Sequence, residues 1–285
     1  MAGRLRDDRV LGYTRGLSLF ITPFLLVAFV ILYLFPTRTD RLWSWTIQST
    51  MTSMVLASAY LGGAYFFLRV QRQRRWSAVR AGFPPVTLFS GLLGVATIVH
   101  WDKFEHGHPA FWLWAGLYFT APFLVVAAFV RNQQYAAGPA PGEPVLGPVA
   151  RAVVGLVGVG ALVTGLVMFA WPTTVLDAWP WPLTPLTCRV MAAVFCLASA
   201  GVFAWFDPRW VTVRLMSEVT VVMVVLMLVA AVRAHDQLDA SKALAWPLVL
   251  GVAGLLLGTA ALWMRFEWRP PAPRENPVGA TPTRG

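Results

Sequence analysis

The sequence predicts an all-α polytopic membrane protein with eight transmembrane helices, arranged as two parallel four-helix repeats. Three observations support this prediction. Hydrophobic residues make up 57% of the 285 residues and charged residues only 13%, about half the charged share of a soluble domain. Eight apolar runs are each long enough to cross a bilayer. Landmark residues of the first half return at constant offsets in the second half.

The eight apolar runs set the number of spans. A helix needs about 20 apolar residues to cross the hydrocarbon core. The runs cover residues 16–36, 51–68, 83–101, 111–130, 152–171, 186–205, 214–232 and 244–263. Arg189 interrupts the sixth run and Glu218 the seventh, but both runs can span if these charges face protein or reach towards the surface. The first run lacks a small-residue cleavage site, so we expect a retained helix rather than a signal peptide.

Polar segments divide the chain into five parts. We expect residues 1–15 to form an N-terminal segment, 16–131 the first repeat, 132–149 a linker, 150–268 the second repeat and 269–285 a tail. The linker contains five Gly and Pro residues within seven positions, a density of helix breakers that no span tolerates. The tail is rich in Pro and Arg and is expected to be disordered.

Matching residues in the two halves predict the repeat. Four pairs share an offset of 136: Arg15 with Arg151, Pro36 with Pro172, Trp43 with Trp179, and Trp45 with Trp181. Seven pairs share an offset of 134: Arg75 with Arg209, Trp76 with Trp210, Val79 with Val213, Arg80 with Arg214, Asp102 with Asp236, Trp112 with Trp246, and Arg131 with Arg265. Constant offsets of this kind indicate duplication. Because each half has four spans, both halves enter the membrane from the same side.

Basic residues predict the orientation. Seventeen of the 23 Lys and Arg residues lie in the two terminal segments and in the loops after the second, fourth and sixth runs. Because Lys and Arg accumulate in cytoplasmic loops, we expect both termini to be cytoplasmic. The net charge of +10 then reflects this bias and adds attraction to anionic lipid headgroups. Since the charges are spread over five segments, nucleic-acid binding is not expected.

The fourteen Trp residues all fall near predicted span ends, as in an interfacial aromatic belt. Nine belong to the outer side: Trp43, Trp45, Trp101, Trp112, Trp114, Trp171, Trp179, Trp181 and Trp246. We expect these rings to anchor the protein at the headgroup level. The alternative is that this outer aromatic rim contacts a lipid, a hydrophobic ligand or a protein partner.

Small residues predict close helix contacts, since close backbone approach stabilises helix pairs in lipid. They recur as Gly155, Gly158, Gly160 and Gly165 in the fifth span, as Ala192, Cys196 and Ala200 in the sixth, and as Gly254 and Gly258 in the eighth. Cys188 and Cys196 lie about 12 Å apart along one helix. We therefore expect both cysteines to be free thiols that serve as small packing residues.

The densest polar cluster lies between the third and fourth runs. It consists of His100, Asp102, Glu105, His106 and His108. Imidazole and carboxylate groups are zinc ligands, so His100, Asp102, His106 and His108 form a candidate metal site; the alternative is a solvated loop. A b-type haem between His100 and His235 is a weaker hypothesis because both residues lie at helix ends. We expect no cofactor.

Arg189 and Glu218 are the clearest ionisable groups inside predicted spans, and intramembrane charges indicate function by default. They differ by roughly 9 Å in depth at 1.5 Å per residue, so a direct pair is marginal. One hypothesis is a polar pathway lined by Arg189, Arg214, Ser217 and Glu218. The other is that Arg214 and Glu218, four residues apart, form an ion pair that closes one end of the seventh span.

The segment Trp-Pro-Trp-Pro-Leu-Thr-Pro-Leu-Thr at 179–187, followed by Arg189, resembles a segment of uncharacterised multispan membrane proteins of high-GC actinobacteria. The resemblance covers mainly spans five to seven. It implies a plasma-membrane location and carries no activity with it.

Three functional hypotheses follow. The first is a transporter or permease-like protein for a small or lipidic solute, with its pathway between the halves. The second is a non-enzymatic accessory or assembly protein that binds a partner or lipid. The third is an outer-facing enzyme that uses the cluster from His100 to His108. The chain contains no phosphate-binding glycine loop, nucleophile elbow or zinc-protease motif, which argues against nucleotide-driven pumps and common membrane proteases.

Overall fold

The computed structural model describes residues 7–268, and within them the chain is all-helical without a β-strand. Eight helices are long and apolar enough to cross a membrane, which confirms the predicted number of spans. They are α1 (Gly12–Leu34), α2 (Thr50–Arg72), α3 (Arg80–Val99), α4 (Pro109–Gln133), α5 (Pro148–Ala170), α6 (Pro185–Phe206), α7 (Trp210–Arg233) and α8 (Ala245–Glu267). The predicted tail, 269–285, lies outside the described residues.

Local sequence signals explain where several helices begin. Pro109, Pro148 and Pro185 are the first residues of α4, α5 and α6, where the missing proline N–H is not needed. Thr184 adds a capping box to α6. The Ser49 hydroxyl accepts a hydrogen bond from the third N–H of α2. These signals fix where α2, α4, α5 and α6 begin.

The helices pack as pairs along the chain and between the two halves. Within the halves, α1 packs on α2, α3 on α4, α5 on α6 and α7 on α8. Between the halves, α2 packs on α7 and α3 on α6, and α2 also touches α6. Helices α2, α3, α6 and α7 therefore form the centre of the bundle. We call the side on which α1 begins and α8 ends the terminal side.

The nine tryptophans that the sequence assigns to the outer side divide into two groups, and the expectation of an aromatic belt is wrong for one of them. Five are buried in the core: Trp43, Trp45, Trp114, Trp179 and Trp181. Their rings pack edge to face, as between Trp45 and Trp114 at a centroid distance of 4.9 Å, because loops on this side fold back over the helix ends. Four others are exposed: Trp101, Trp112, Trp171 and Trp246.

Glycines bring α5 and α6 into backbone contact, as the sequence predicts. A Cβ added to Gly158 would lie 2.7 Å from the Val202 nitrogen, and one added to Gly165 would lie 2.7 Å from the Ala192 carbonyl oxygen. The glycines of α8 differ, because a Cβ at Gly254 meets no atom within 4 Å. The expectation that the α8 pair forms a close helix contact is therefore wrong. Both cysteines are free and buried, as predicted.

Helix α8 is peripheral. Only 6% of the residues in its apolar stretch are buried, compared with 78% in α2. At its last turns, partly buried side chains of α8 pack around Trp210 together with Ala150 and Val154 of α5. At its beginning, the Leu244 N–H donates to the Ala178 carbonyl at 3.0 Å. The helix is thus attached at both ends, and among residues 7–268 it packs extensively on α7 alone.

Candidate functional site

A large cavity occupies the space that α8 leaves open. Its volume is about 1630 Å³, and residues of all eight helices line it. Most of the lining is apolar; Asp239 and Arg265 are its only aspartate and arginine, and it has no glutamate, lysine or histidine among the described residues. Asp239 follows α7, and Arg265 lies in the last turn of α8. The middle of the cavity therefore suits an uncharged, apolar molecule.

The two halves differ at the position of this cavity. In the first half α1 and α4 are joined, because the Asn132 amide donates to the Thr14 hydroxyl and accepts from the Leu11 N–H at 3.0 Å. At the offsets of 136 and 134, these two side chains correspond to Ala150 and Phe266, which cannot make such bonds. Among the described residues no hydrogen bond joins α5 to α8. The cavity extends into the space between these two helices, and it is also lined by residues of α1 and α4.

Most hydroxyl groups of the cavity wall are satisfied by their own helix. Ser90, Ser217, Thr220 and Thr259 each donate to the carbonyl oxygen four residues earlier, at 2.7 to 3.2 Å. Such bonds let small hydroxyl side chains lie in an apolar environment. These groups therefore add little polarity to the wall.

Two tyrosines of the cavity wall bond to each other instead. The Tyr60 hydroxyl of α2 and the Tyr118 hydroxyl of α4 lie 2.8 Å apart and share one hydrogen bond. Both side chains line the cavity, with exposed fractions of 2% and 8%. Phe89 packs against both rings at centroid distances of 6.4 Å. A tyrosine cannot reach its own helix carbonyls as serine and threonine do, so the two hydroxyls bond to each other. The indole N–H of Trp179, which also lines the cavity, is buried without a partner among the described residues.

The predicted metal ligands do not come together. His100 contacts Arg189 of α6, with 2.7 Å between its Nε2 and the guanidinium Nη1, so this nitrogen is the acceptor. Burial and the Arg189 charge lower the pKa of His100. Asp102 pairs with Lys103 on the exposed surface. The two side chains therefore have different partners.

The remaining two histidines have structural partners as well. The His106 ring packs on Trp101 and Phe111 at centroid distances of 5.0 and 4.7 Å. His108 caps α4, because its Nδ1 accepts from the Ala110 N–H at 3.1 Å. Among residues 7–268 no three His, Cys, Asp or Glu side chains are placed to hold a metal ion.

The structure does not place the predicted polar pathway along the cavity. Of its four residues only Ser217 lines the cavity. Glu218 is buried and binds Arg69 of α2 through an ion pair, accepts a hydrogen bond from Tyr65 at 2.6 Å, and lies 3.4 Å from Arg214. The predicted Arg214 pair thus exists, but sequence reasoning missed the two partners from α2. Their only signal was their spacing of four residues, which places them on one helix face.

A partly buried ion network on the terminal side was also missed by sequence reasoning. It joins the segment before α1, the loops after α2 and α6, and the linker, through Asp8, Arg75, Arg80, Glu143, Asp207 and Arg209. Arg209 is only 1% exposed. It donates two hydrogen bonds to Asp207, at 2.8 and 2.9 Å, and others to Glu143 and to the linker carbonyls of Ala137 and Gly138. We call this set the linker ion network.

The linker ion network predicts a loss of stability in acid. Burial alone would raise the pKa of Asp207, but hydrogen bonds from Arg209, Thr212 and Arg80 hold it well below its usual value. The pKa of Glu143 is lowered in the same way by Arg75 and Arg209, against the effect of burial. A depressed folded-state pKa stabilises the fold above the unfolded-state value and ceases to do so as the pH falls.

We therefore expect the midpoint of thermal unfolding to be steady from pH 7 to about pH 5 and to fall below about pH 4. The variant Asp207→Asn should be less stable at pH 7 and show a shallower decline in acid. The measurement is the midpoint of thermal unfolding of both proteins in detergent micelles, at pH values from about 3 to about 7. Equal acid sensitivity of the two proteins would contradict this assignment.

Comparison with known proteins adds no relative: no family model, no curated protein and no solved structure matches the chain. The geometry of the cavity and of its two tyrosines is therefore the basis for a functional proposal.

Proposed function

We propose that this integral membrane protein binds an uncharged, long-chain apolar molecule, a lipidic solute, that enters its cavity from the bilayer between α5 and α8. The observation that carries the proposal is the apolar lining of a cavity of about 1630 Å³ that reaches these two sparsely buried helices. A molecule dissolved in the hydrocarbon core can enter such a cavity without crossing a polar surface. The proposal fits a transporter or permease-like role for a lipidic solute.

The chemistry of the wall favours a lipidic solute over an ion or a polar metabolite. Binding a charge in this environment would require a buried counter-charge or several converging dipoles. The two intramembrane charges, Arg189 and Glu218, are engaged with His100 and Arg69 and lie outside the lining. The hydroxyl groups of Ser217 and Thr220 are occupied by their own helix.

The two-repeat arrangement is part of the proposal. Three pairs of hydrogen bonds recur at the offsets of 136 and 134: Val10 to Arg74 and Leu146 to Pro208, Glu105 to Ser44 and Asp239 to Pro180, Trp76 to Gln133 and Trp210 to Glu267. The helix contacts follow the same correspondence. If α2 is matched with α6 and α3 with α7, the contact between α2 and α7 becomes the contact between α6 and α3, and both are present. These correspondences support a parallel duplication in which a hydrogen bond joins α1 to α4 in the first half, while among the described residues none joins α5 to α8 in the second.

The orientation and location are further parts of the proposal. The excess of basic residues on the terminal side favours cytoplasmic termini in a plasma membrane. The linker ion network then lies on the cytoplasmic side and the tryptophan-rich loops on the outer side. A reporter fused to either terminus tests the orientation, because activity of an exported reporter at that end would contradict it.

A non-enzymatic accessory or assembly role is the second candidate. It is favoured by the low burial of α8 and by the exposed rings of Trp101, Trp112 and Trp246. In this case a helix of a protein partner would fill the space between α5 and α8. The native mass spectrometry experiment described next separates the two candidates by the mass of the bound species.

The test is to fill the cavity at a position where packing is not disturbed. Gly254 lines the cavity, and a Cβ there meets no atom within 4 Å, so Gly254→Phe should place a ring in the ligand space. Displacing two methylene groups costs about 1.6 kcal/mol, or somewhat more than tenfold in affinity. We expect native mass spectrometry of the wild-type protein, released gently from its own membrane, to detect a bound apolar molecule. In Gly254→Phe the affinity for this molecule should be lower by at least about tenfold.

The matched control is Gly116→Phe on α4. Gly116 is exposed, does not line the cavity and also has no atom within 4 Å of an added Cβ. It should keep the bound molecule. Equal occupancy in the two variants would contradict the proposed site, and a bound polypeptide would favour the accessory role.

A further inference from the structure

The hydroxyl pair of Tyr60 and Tyr118 has one hydrogen that the protein does not use. Each phenol can donate one hydrogen bond, but the two hydroxyls share a single bond of 2.8 Å. Among the described residues neither hydroxyl has another hydrogen-bond partner. When one phenol donates to the other, the second O–H is left without an acceptor, although both side chains are more than nine-tenths buried.

Leaving a buried hydroxyl hydrogen unpaired is costly, typically by as much as the net value of a hydrogen bond or more. The surrounding wall offers no relief, since Phe89, Trp43 and Trp114 pack around the two rings. Because both tyrosines line the cavity, the spare O–H is available to a molecule inside it. The pair therefore acts as one hydrogen-bond donor in a largely apolar space, whose other buried unpaired donor among the described residues is the indole N–H of Trp179.

The depth of the pair limits the kind of molecule. Tyr60 lies ten residues into α2 and Tyr118 nine residues into α4, so both are about 14 to 15 Å below the side on which these helices begin. In a hydrocarbon core about 30 Å thick this is the middle of the bilayer. The ester carbonyls of a phospholipid stay near its charged headgroup at the interface. A partner for this donor must be able to bring its oxygen to the midplane.

We propose that Tyr60 and Tyr118 form the polar recognition point of the cavity, and that they bind the carbonyl oxygen of an uncharged long-chain molecule. This inference rests on the proposed function and names the chemical class of its ligand. The carbonyl accepts the spare O–H, while the hydrocarbon chain lies along the apolar wall between α5, α7 and α8. Phospholipids, whose headgroup charge would have to enter the bilayer core, are excluded by the position of the pair.

The test uses two probes that differ in the carbonyl group alone, nonadecanone and nonadecane. An equimolar mixture is added to the purified protein in detergent micelles, and the retained amount of each is measured by gas chromatography after gel filtration. The variant Tyr60→Phe/Tyr118→Phe removes both hydroxyls and keeps the ring shapes, a change that is often nearly neutral for stability. We expect the ratio of bound ketone to bound alkane to fall about fivefold in this variant, the value of one net hydrogen bond.

Tyr33→Phe is the matched control, because the Tyr33 hydroxyl donates to the Leu226 carbonyl at 2.8 Å and does not line the cavity. It should keep the wild-type ratio. If both probes bind but the ratio is the same in wild type and double variant, the tyrosine inference is wrong and the cavity proposal stands. If the wild-type protein retains neither probe above empty micelles, both are wrong.

An infrared measurement on the wild-type protein keeps the inference testable should the double variant fold poorly. A ketone that accepts a hydrogen bond absorbs at a lower carbonyl stretching frequency than the same ketone in alkane solvent. We expect this shift for protein-bound nonadecanone. A carbonyl band at the frequency found in alkane would overturn the assignment of Tyr60 and Tyr118.

Discussion

Replacing Arg209 by methionine is expected to lower the free energy of unfolding by about 3 to 5 kcal/mol, the usual cost of removing one partner from a buried ion pair. Methionine keeps most of the side-chain length but none of the five donors. Asp207 would keep Arg80 and Thr212 as partners, while the linker carbonyls of Ala137 and Gly138 would lose theirs. The free energy of unfolding is measured by denaturant titration in mixed micelles.

Arg41→Met is the matched control for this variant. Arg41 is 84% exposed and lies 3.7 Å from Asp40, a surface pair of the kind that contributes about 0 to 1 kcal/mol. It should therefore leave the unfolding free energy nearly unchanged. If the two variants are equally stable, the linker ion network does not hold the loops of the two halves together as proposed.

The second large effect is expected at the contact between α5 and α6. Gly158→Ala should destabilise the protein by about 1 to 3 kcal/mol, as overpacking does in other tightly packed interiors. The new methyl group would lie 2.7 Å from the Val202 nitrogen and 3.0 Å from the Gly201 carbonyl carbon. Neither backbone atom can move without separating the two helices. The measurement is the midpoint of thermal unfolding in detergent micelles.

Gly160→Ala provides a control two residues further along α5. A Cβ at Gly160 meets no atom within 4 Å, and alanine is favoured over glycine inside helices by up to about 1 kcal/mol. This variant should be as stable as the wild type or slightly more stable. A similar loss of stability at both positions would mean that α5 and α6 do not cross at Gly158.

Hydropathy alone was enough to predict the eight helices, because spanning a bilayer requires long, continuous apolar segments. This held even for α6 and α7, whose charges find partners inside the protein. The partner of Arg189 is His100, 89 positions away in the chain, and the partner of Glu218 is Arg69, 149 positions away. Such pairs depend on which helices pack together, which periodicity within one helix cannot reveal.

The tryptophans also show that contacts between distant segments could not be predicted from the sequence. Position near a span end predicts an interfacial ring, and Trp112 and Trp246 are indeed exposed. Trp45 and Trp181 are buried, however, because the loops that carry them fold inwards and pack over the bundle. Whether a loop folds inwards depends on contacts between loops, such as the 2.9 Å hydrogen bond from the Glu105 N–H to the Ser44 carbonyl.

The candidate site itself could not be predicted from the sequence. The metal and pathway hypotheses followed the rarer polar residues, which the structure uses as caps and ion pairs. The cavity is instead lined by residues that look like ordinary span residues. Tyr60 and Tyr118 stand 58 positions apart, and only the packing of α2 near α4 brings their hydroxyls together. Among the described residues no hydrogen bond joins α5 to α8, and the sequence carried a faint signal of this: Ala150 and Phe266 stand at the offsets of 136 and 134 from Thr14 and Asn132.

The most direct test of the central claim is an electron cryo-microscopy map of the protein in lipid nanodiscs. The proposal predicts a separation between α5 and α8 at mid-membrane, filled by an elongated density that ends beside the hydroxyls of Tyr60 and Tyr118. Helices α5 and α8 packed directly against each other along their length, with no space in front of the two tyrosines, would contradict it.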